Sequence, residues 1–445
     1  MNSHIKNTII LFADKLFTLS TGLLIAILAA RIFGPAEFGL FNYVTSLIGV
    51  LGFIYTLGLE NVVINEASNI DNKQKLELLF VNSTALKFLS SLIGIIILLF
   101  YCYFFSRESY ELALILGFAN FILFANSIDF IFQGTYKFNT LVILRLVSKT
   151  LMTLVQLCFL LILPNIYYFA AANIVYNSMY VILLWVTANI SFSFFMISKE
   201  YMLELLKKSL PFTLASVAIP IFMQSDTIML MHITNNAHET GLYSAVQRIL
   251  LPASVVGSVL SVSIFSIIKN SVKLQDFSFL IKIHSVIFYG TALLGAIVTY
   301  YSEVIMTFLY GNKYLGSGQV LSYSIWIILF SIIGPIGTKM LICANASKVE
   351  FYKTAIAAII NIFLNLFFIK KWGAVGACIS SLIAYFIANV FIFFCIKRTR
   401  FIINIYLKAI YVLYTHLKLP TISFFLRNIQ VAILIKACII NTGDR

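Results

Sequence analysis

Apolar windows of about 20 residues recur along almost the whole chain, each long enough as an α-helix to cross about 30 Å of hydrocarbon. Runs such as LIGIIILLFYCYFF, residues 92–105, are apolar on every side, whereas the strands of a membrane barrel would alternate apolar with polar positions. The expected fold is therefore all-α and polytopic. Twelve spans are predicted, at 9–30, 39–59, 81–104, 112–133, 146–164, 166–188, 211–232, 242–266, 283–302, 319–343, 354–370 and 374–396. Of the 445 residues 61% are hydrophobic and 11% charged, too few charges to cover a water-soluble surface. No soluble domain is left over, and the chain reads as an integral membrane protein.

Asp14 and Lys15 interrupt the first span and no clear small-x-small cleavage site follows it, so it is expected to stay as a helix. The six cysteines are scattered in apolar sequence without C-x-x-C spacing or nearby histidine clusters and read as packing residues. His232, His238 and His284 lack metal-ligand spacing and are assigned to surface or helix-end positions. No metal and no cofactor is expected. No GxxxxGK[ST] phosphate loop is present, which excludes an ATP-driven pump encoded wholly in this chain.

With the first residues in the cytoplasm, the even-numbered connections are inside and collect most of the cations. Lys73, Lys75, Lys137, Arg145, Lys149, Lys207, Lys208, Lys269, Lys273, Lys397 and Arg398 are among them. The positive-inside rule then places both termini in the cytoplasm. The formal charge of +14 is mostly this topology signal, together with attraction for anionic lipid headgroups. It calls for no nucleic-acid partner.

Between the first two spans lies ARIFGPAEFGLFNY, residues 30–43, and its Glu37–Phe41 core returns as Glu239–Tyr243 inside HETGLYSA, residues 238–245. A weaker pair joins FQGTYKF, 132–138, to CANASKVEF, 343–351. The echo predicts two lobes of six helices, 1–198 and 199–398, inserted in the same orientation as parallel repeats. A good turn reused by duplication also accounts for the motif, since glycine allows unusual backbone angles and proline halts a helix. The stretch 399–445 lies beyond the repeat. It is apolar but interrupted by Lys408, Arg427 and Lys436, and reads as interfacial amphipathic helices or as two further spans.

Positions three and four apart share a helix face. Span one then aligns Asn7, Asp14, Thr18 and Thr21; span two Gly39, Asn42, Ser46, Gly49 and Thr56. Span seven aligns Ser209, Thr213, Ser216, Pro220 and Gln224; span eight Gly241, Ser244 and Arg248 beside Gln247. Such stripes also arise from close helix packing. Charge at depth carries more weight, because an ionised side chain at the bilayer centre costs about 3 kcal/mol or more. Asp14, Lys15, Asp226 and Arg248 are accordingly the leading functional residues. Lys15 has snorkelling as an alternative. Asp226 falls off the polar stripe of its helix unless Pro220 turns it back. Lys87, Asp129 and Lys339 lie near predicted inner ends, where snorkelling or capping explains them. Pro211, Pro220, Pro252 and the GPIG at 334–337 break helices of the second half and suit a protein that rocks.

AARIFGPAEFGLFNYVTSLIGVL, FIFQGTYKFN, QSDTIMLMHITNNAHETGLYSAVQRI and GAVGACISSLIAYF, in that order, resemble the polysaccharide flippases of bacterial inner membranes. The likeness is to O-antigen (Wzx-type) translocases of the multidrug/oligosaccharidyl-lipid/polysaccharide transporter superfamily, over roughly residues 5 to 398. The resemblance implies a V-shaped, two-lobed transporter with a central cavity lined largely by helices one, two, seven and eight. It implies movement of an undecaprenyl-pyrophosphate-linked oligosaccharide from the cytoplasmic to the periplasmic leaflet, with a polysaccharide polymerase and a chain-length regulator as partners besides membrane lipids. Arg248 and Lys15 are expected to attract the pyrophosphate, and Thr18, Asn42, Ser46 and Gln247 to contact sugar. Asp14 and Asp226 are expected to couple transport to a proton or sodium gradient. No catalytic residue is assigned. Two rivals remain: a cation-coupled multidrug exporter of the same superfamily, and an O-antigen polymerase or ligase. The enzyme calls for a large outer loop and a nucleophile with its base, neither of which the sequence offers.

Overall fold

The computed structural model describes residues 3–70, 72–188 and 193–417, with side chains from residue 17 onward except 214–216 and those beyond 411. All regular structure among the described residues is helical. Helices α1 (Ser3–Phe33) and α2 (Pro35–Thr56) are separated by Gly34 alone, at φ 84° and ψ 175°. Gly34 N–H still donates to Ala30 O at 2.9 Å while its carbonyl accepts from Phe38 at 3.2 Å. Proline at the first position of α2 lacks the N–H that α1 would need to continue, and glycine accepts the positive φ of the corner. The polar hinge is thus a one-residue helix corner.

The chain continues through α3 (Leu59–Ser68), α4 (Lys73–Phe105), α5 (Tyr110–Phe121), α6 (Ser127–Gly134), α7 (Phe138–Ile162) and α8 (Ile166–Ala188). Next come α9 (Lys199–Thr234), α10 (Ala237–Ser263), α11 (Phe265–Leu274), α12 (Ser278–Tyr300) and α13 (Ser302–Tyr310). The last are α14 (Ser317–Ser324), α15 (Ile327–Cys343), α16 (Lys348–Phe386), α17 (Ile392–Cys395) and α18 (Arg400–Leu417). Among the described residues ten helical segments are long and apolar enough to cross a membrane, and α1 adds the shorter apolar stretch Phe17–Phe33. One of the ten, Lys348–Cys395, holds two of the expected spans, because Gly373 (φ 54°, ψ −129°) divides α16. Each of the twelve predicted spans therefore meets a helix. Exposed rings and aliphatics such as Ile93, Ile96, Phe100 and Phe104 on one face of α4 are suited to acyl chains.

The helices pack into two compact units. Among the described residues the first comprises those up to Pro252 with Tyr301–Ser324 and Thr354–Ala384; the second comprises Ala253–Tyr300, Ile325–Lys353 and those from Tyr385 to Leu417. The first unit has two apolar centres. One gathers Tyr43, Val44, Leu98, Leu112 and Phe169; the other gathers Leu59, Leu79, Phe80, Phe132 and Leu184. Its α2 and α9 lie along one another, drawn close by small residues. A Cβ on Gly49 would sit 3.3 Å from the Gln224 side chain, and just beyond the end of α2 one on Gly58 would overlap Thr213 N. At these positions the stripes of spans two and seven are helix packing.

The echoed motifs meet each other in the first unit. A Cβ on Gly39 would collide with Ala237 O and lie 2.8 Å from Gly241 N. One on Gly241 would collide with Pro35 O and lie 2.8 Å from Pro35 Cα. Pro35 and Ala237, like Gly39 and Gly241, stand 202 positions apart, so each motif lays its helix start against the other's glycine. Glu239 of the second copy also caps the corner of α16, accepting from Ala374 N at 3.1 Å beside Gly373.

In the second unit α18 lies on α12, where Ser285 Oγ donates to Ala409 O at 2.6 Å. Ile402, Ile405, Tyr406 and Ala409 of α18 are buried while Asn404 and Lys408 are exposed. The expectation for 418–445 lies outside the described residues, as does Cys438. Cys102 and Cys378 are buried packing residues, and none of the described cysteines is in a disulfide.

Candidate functional site

Two polar sites occupy the first unit. Helices α1, α2, α5, α7, α8 and α10 line a cavity of about 310 Å³. Gly22, Ile25 and Ala26 of α1 and Phe38 and Phe41 of α2 supply much of its apolar wall. The polar wall is Thr45, Asn120, Lys149, Gln156, Asn173, Asn177 and Arg248. Arg248 reaches it from α10 and donates through Nη2 to Asn42 Oδ1 at 2.8 Å. The Asn42 amide is itself oriented by its own helix, donating to Phe38 O at 2.7 Å, which aims its oxygen at the guanidinium. Asn173 and Asn177 likewise donate to backbone, to Ala170 O at 2.9 Å and Ala119 O at 2.6 Å. Each keeps a side-chain oxygen able to accept a further hydrogen bond. Among the described residues no carboxylate lines the cavity.

The second site is the cage around Asp226, which is 4% exposed. Tyr243 Oη donates to Oδ2 at 2.6 Å, Asn361 and Asn365 donate through Nδ2 to Oδ1 at 3.0 and 2.7 Å, and Ser381 Oγ donates to Oδ2. Ser225 donates to Asn361 Oδ1 at 2.8 Å, which also accepts from Asn365 at 3.2 Å. Asn365 Oδ1 is buried without a hydrogen-bond partner. The donors come from α10 and from both parts of α16. A buried carboxylate costs several kcal/mol unless hydrogen bonds or charge satisfy it, and here neutral groups do so.

The structure brings Arg248 and Asn42 together as one contact on the cavity. Gln247 is half-buried, Ser46 is buried in α2 and Thr18 is exposed, and none of the three is among the lining residues. Thr45, one position round from the expected stripe, lines it instead. The side chains of Asp14 and Lys15 lie outside the described residues. Asp226 does face inward, and its partners escaped the sequence reading. Asn361 and Asn365, four apart in IINIFLNLFF, form a polar stripe on an otherwise apolar span, a signal available to helical periodicity.

Lys149 and Gln156 were also missed. By sequence Lys149 counts with the inner charges, yet it stands well inside α7 with Met152 and Gln156 on the same cavity face.

Three further expectations are corrected. Asp129 does not cap or snorkel: it is 5% exposed and paired with Arg145 Nη2 at 2.8 Å, with Tyr180 Oη donating to it at 2.6 Å and Gln133 at 3.0 Å. Lys87 is 3% exposed, donating to Leu123 O at 3.0 Å and to Asn126 Oδ1, with Nζ 4.8 Å from the Phe130 ring centre. Each is buried with its charge satisfied by the fold, Asp129 by donors and Lys87 by acceptors. His284 is fully buried in the second unit, its Nδ1 at 2.8 Å from Leu280 O. His232 keeps its place in the last turn of α9, with Nε2 between the hydroxyls of Tyr43, at 2.8 Å, and Tyr101.

Comparison with known proteins follows from this fold. The structure resembles that of the lipid II flippase MurJ in an inward closed conformation, at 16% identity and a TM-score of 0.67, over 97% of this chain and 100% of that one. It also resembles an inward-facing multidrug resistance MATE family transporter of the MOP superfamily, at 16% identity and a TM-score of 0.68, over 84% of this chain and 92% of the other. An outward-facing transporter of that family gives a TM-score of 0.56, again at 16% identity, over 88% of this chain and 94% of the other. Identities this low establish a shared fold. No curated protein matches by sequence. A family described as "Polysaccharide biosynthesis protein" matches residues 4–268, more than half of the chain, and the chain belongs to that family.

Proposed function

We propose that this member of the polysaccharide biosynthesis protein family is the flippase of a polysaccharide pathway. It carries an undecaprenyl-pyrophosphate-linked oligosaccharide of the O-antigen repeat-unit type from the cytoplasmic to the periplasmic leaflet of a bacterial inner membrane. Both termini face the cytoplasm. The single observation that carries the reading is Arg248, a cation aimed by Asn42 into a polar cavity whose described lining has no carboxylate. A sugar head with a charged diphosphate cannot enter hydrocarbon without losing hydration worth several kcal/mol per polar group. The cavity offers a planar guanidinium suited to phosphate oxygens. The amide oxygens of Asn173 and Asn177 are matched to sugar hydroxyls, and apolar walls adjoin the path of a prenyl tail. Likeness to a lipid II flippase supports a lipid-linked substrate.

Transport by alternating access follows, with two parallel-repeat lobes, 1–198 and 199–398, opening in turn around a fixed site. Asp226 is the coupling residue for a proton or a sodium ion. The unpartnered oxygen of Asn365 and the carboxylate beside it are the acceptors such a cation requires. Asp14 is the second candidate. In cells lacking their own flippase, the native chain should restore surface polysaccharide and Arg248→Gln should leave lipid-linked repeat units facing the cytosol. Full surface polysaccharide with Arg248→Gln would overturn the assignment.

The MATE likeness favours drug export as the alternative. An exporter of organic cations calls for an acid facing its cavity, and Asp226 is absent from this lining. Unchanged drug sensitivity in a strain deleted for the gene is the expected result, and hypersensitivity would favour export.

A further inference from the structure

We infer that Lys149 is the second cation of an anion site whose first is Arg248, and that together they select a diphosphate over a monophosphate. The inference rests on the transport reading above. Lys149 and Arg248 come from α7 and α10, far apart in sequence, and line the same cavity. Helix α7 presents Lys149, Met152 and Gln156 to it, positions three and four apart and so on one face. Eleven residues separate Lys149 from one end of α7 and thirteen from the other, so it lies about 16 Å or more along the axis from either end.

Its described surroundings do not neutralise it. Nζ lies 3.7 Å from Met152 Sδ and 5.7 Å from the centre of the Tyr176 ring. Among the described residues neither Lys149 nor Arg248 forms an ion pair. Two like charges sharing a partly desolvated cavity repel one another, and an anion between them turns that repulsion into attraction. Asn42 occupies one N–H of the Arg248 fork and leaves others for oxygen ligands. A guanidinium fork and a compact ammonium lining one cavity match a ligand bearing two charged groups in series. A single phosphate would leave one of the cations unsatisfied.

The test uses the full chain purified in nanodiscs, with undecaprenyl diphosphate and undecaprenyl monophosphate as the two probes. Lys149→Gln should weaken diphosphate binding about tenfold, the scale of one charge-assisted contact, and change monophosphate binding by less than about twofold. Lys149→Arg should restore the difference between the probes. A merely structural lysine would shift both probes together, and that result overturns the inference. So does unchanged binding of both probes by Lys149→Gln, provided Arg248→Gln abolishes binding, and the transport reading then stands. If Arg248→Gln also leaves both affinities unchanged, the transport reading itself falls. Should Lys149→Gln fail to give folded protein, Lys149→Met carries the same comparison, judged by the ratio between the two probes.

Discussion

Arg248 and Asp226 are both ionisable groups set within long apolar helices of the same unit, and the protein treats them in opposite ways. Asp226 is enclosed by donors from Tyr243, Asn361, Asn365 and Ser381, so the fold itself solvates its charge. Arg248 has a single amide oxygen, that of Asn42, and otherwise faces a cavity. The Asp129–Arg145 pair is a third arrangement, in which opposite charges satisfy each other. A charge the fold satisfies internally belongs to stability or to a small ion. A charge held towards open space is kept for a guest. Mutations that separate these cases should therefore divide stability from transport.

The largest effect is expected where the two echoed motifs cross, because that crossing is what brings Asn42 and Arg248 face to face. Gly39 lies three residues before Asn42 and Gly241 seven before Arg248. Any Cβ at either glycine overlaps a backbone carbonyl that no side-chain rotation can move. Gly241→Ala should force the helices apart at a penalty of about 4 kcal/mol or more and separate Asn42 from Arg248. It should leave Asp226 held by Asn361, Asn365 and Ser381, which lie on neither α2 nor α10, while Tyr243 moves with α10. Cysteine pairs at 42 and 248, and at 226 and 365, read by disulfide trapping, separate the outcomes. Retained trapping at 42–248 in Gly241→Ala would break the link between the crossing and the cavity.

Asp226→Ala ranks next. It strands several buried donors at once, and the expected loss is about 3 kcal/mol, seen as a clear fall in the thermal midpoint of the detergent-purified chain. Asp226→Asn keeps the shape and some of the hydrogen bonds. It should hold most of the stability while removing dependence of transport on the ion gradient. If Asp226→Asn transports normally under an imposed gradient, the carboxylate serves the fold alone and the comparison loses its functional half.

How much of this was legible beforehand differs between the two sites for a physical reason. Arg248 and Asn42 were found because each lies on a polar stripe of its own helix, and a stripe is written in local spacing. Asp226 was found by its charge, but its cage is tertiary. Asn361 and Asn365 announce a polar face, yet nothing local says whom that face meets. Lys149 was hidden by position in the chain, since a lysine in the first half of a span counts equally well as an inner-side charge. The motif at Glu37–Phe41 and its echo could be matched as text. That their glycines touch one another required the coordinates, because a repeat fixes likeness and leaves contact open.

Asn42→Ala sharpens the comparison more gently. It removes the group that aims the guanidinium and leaves the cation in place, so affinity for a diphosphate-bearing lipid should fall by about 1 kcal/mol, roughly fivefold, with stability little changed. A loss as large as that of Arg248→Gln would mean that Asn42 contacts the substrate itself.

The smallest expected change is also the most discriminating. Arg248→Gln abolishes transport on the proposed reading, yet its effect on the thermal midpoint should be slight, within about 0.5 kcal/mol. The reason is that the fold supplies the guanidinium with only one described hydrogen bond, and removing a charge from a low-dielectric wall relieves a desolvation penalty of comparable size. Asp226→Ala offers no such relief, because its donors stay behind without an acceptor. A midpoint for Arg248→Gln that falls as far as that of Asp226→Ala would show that the arginine is part of the fold's own internal solvation, and the distinction between a stored charge and a satisfied one would not hold for this protein.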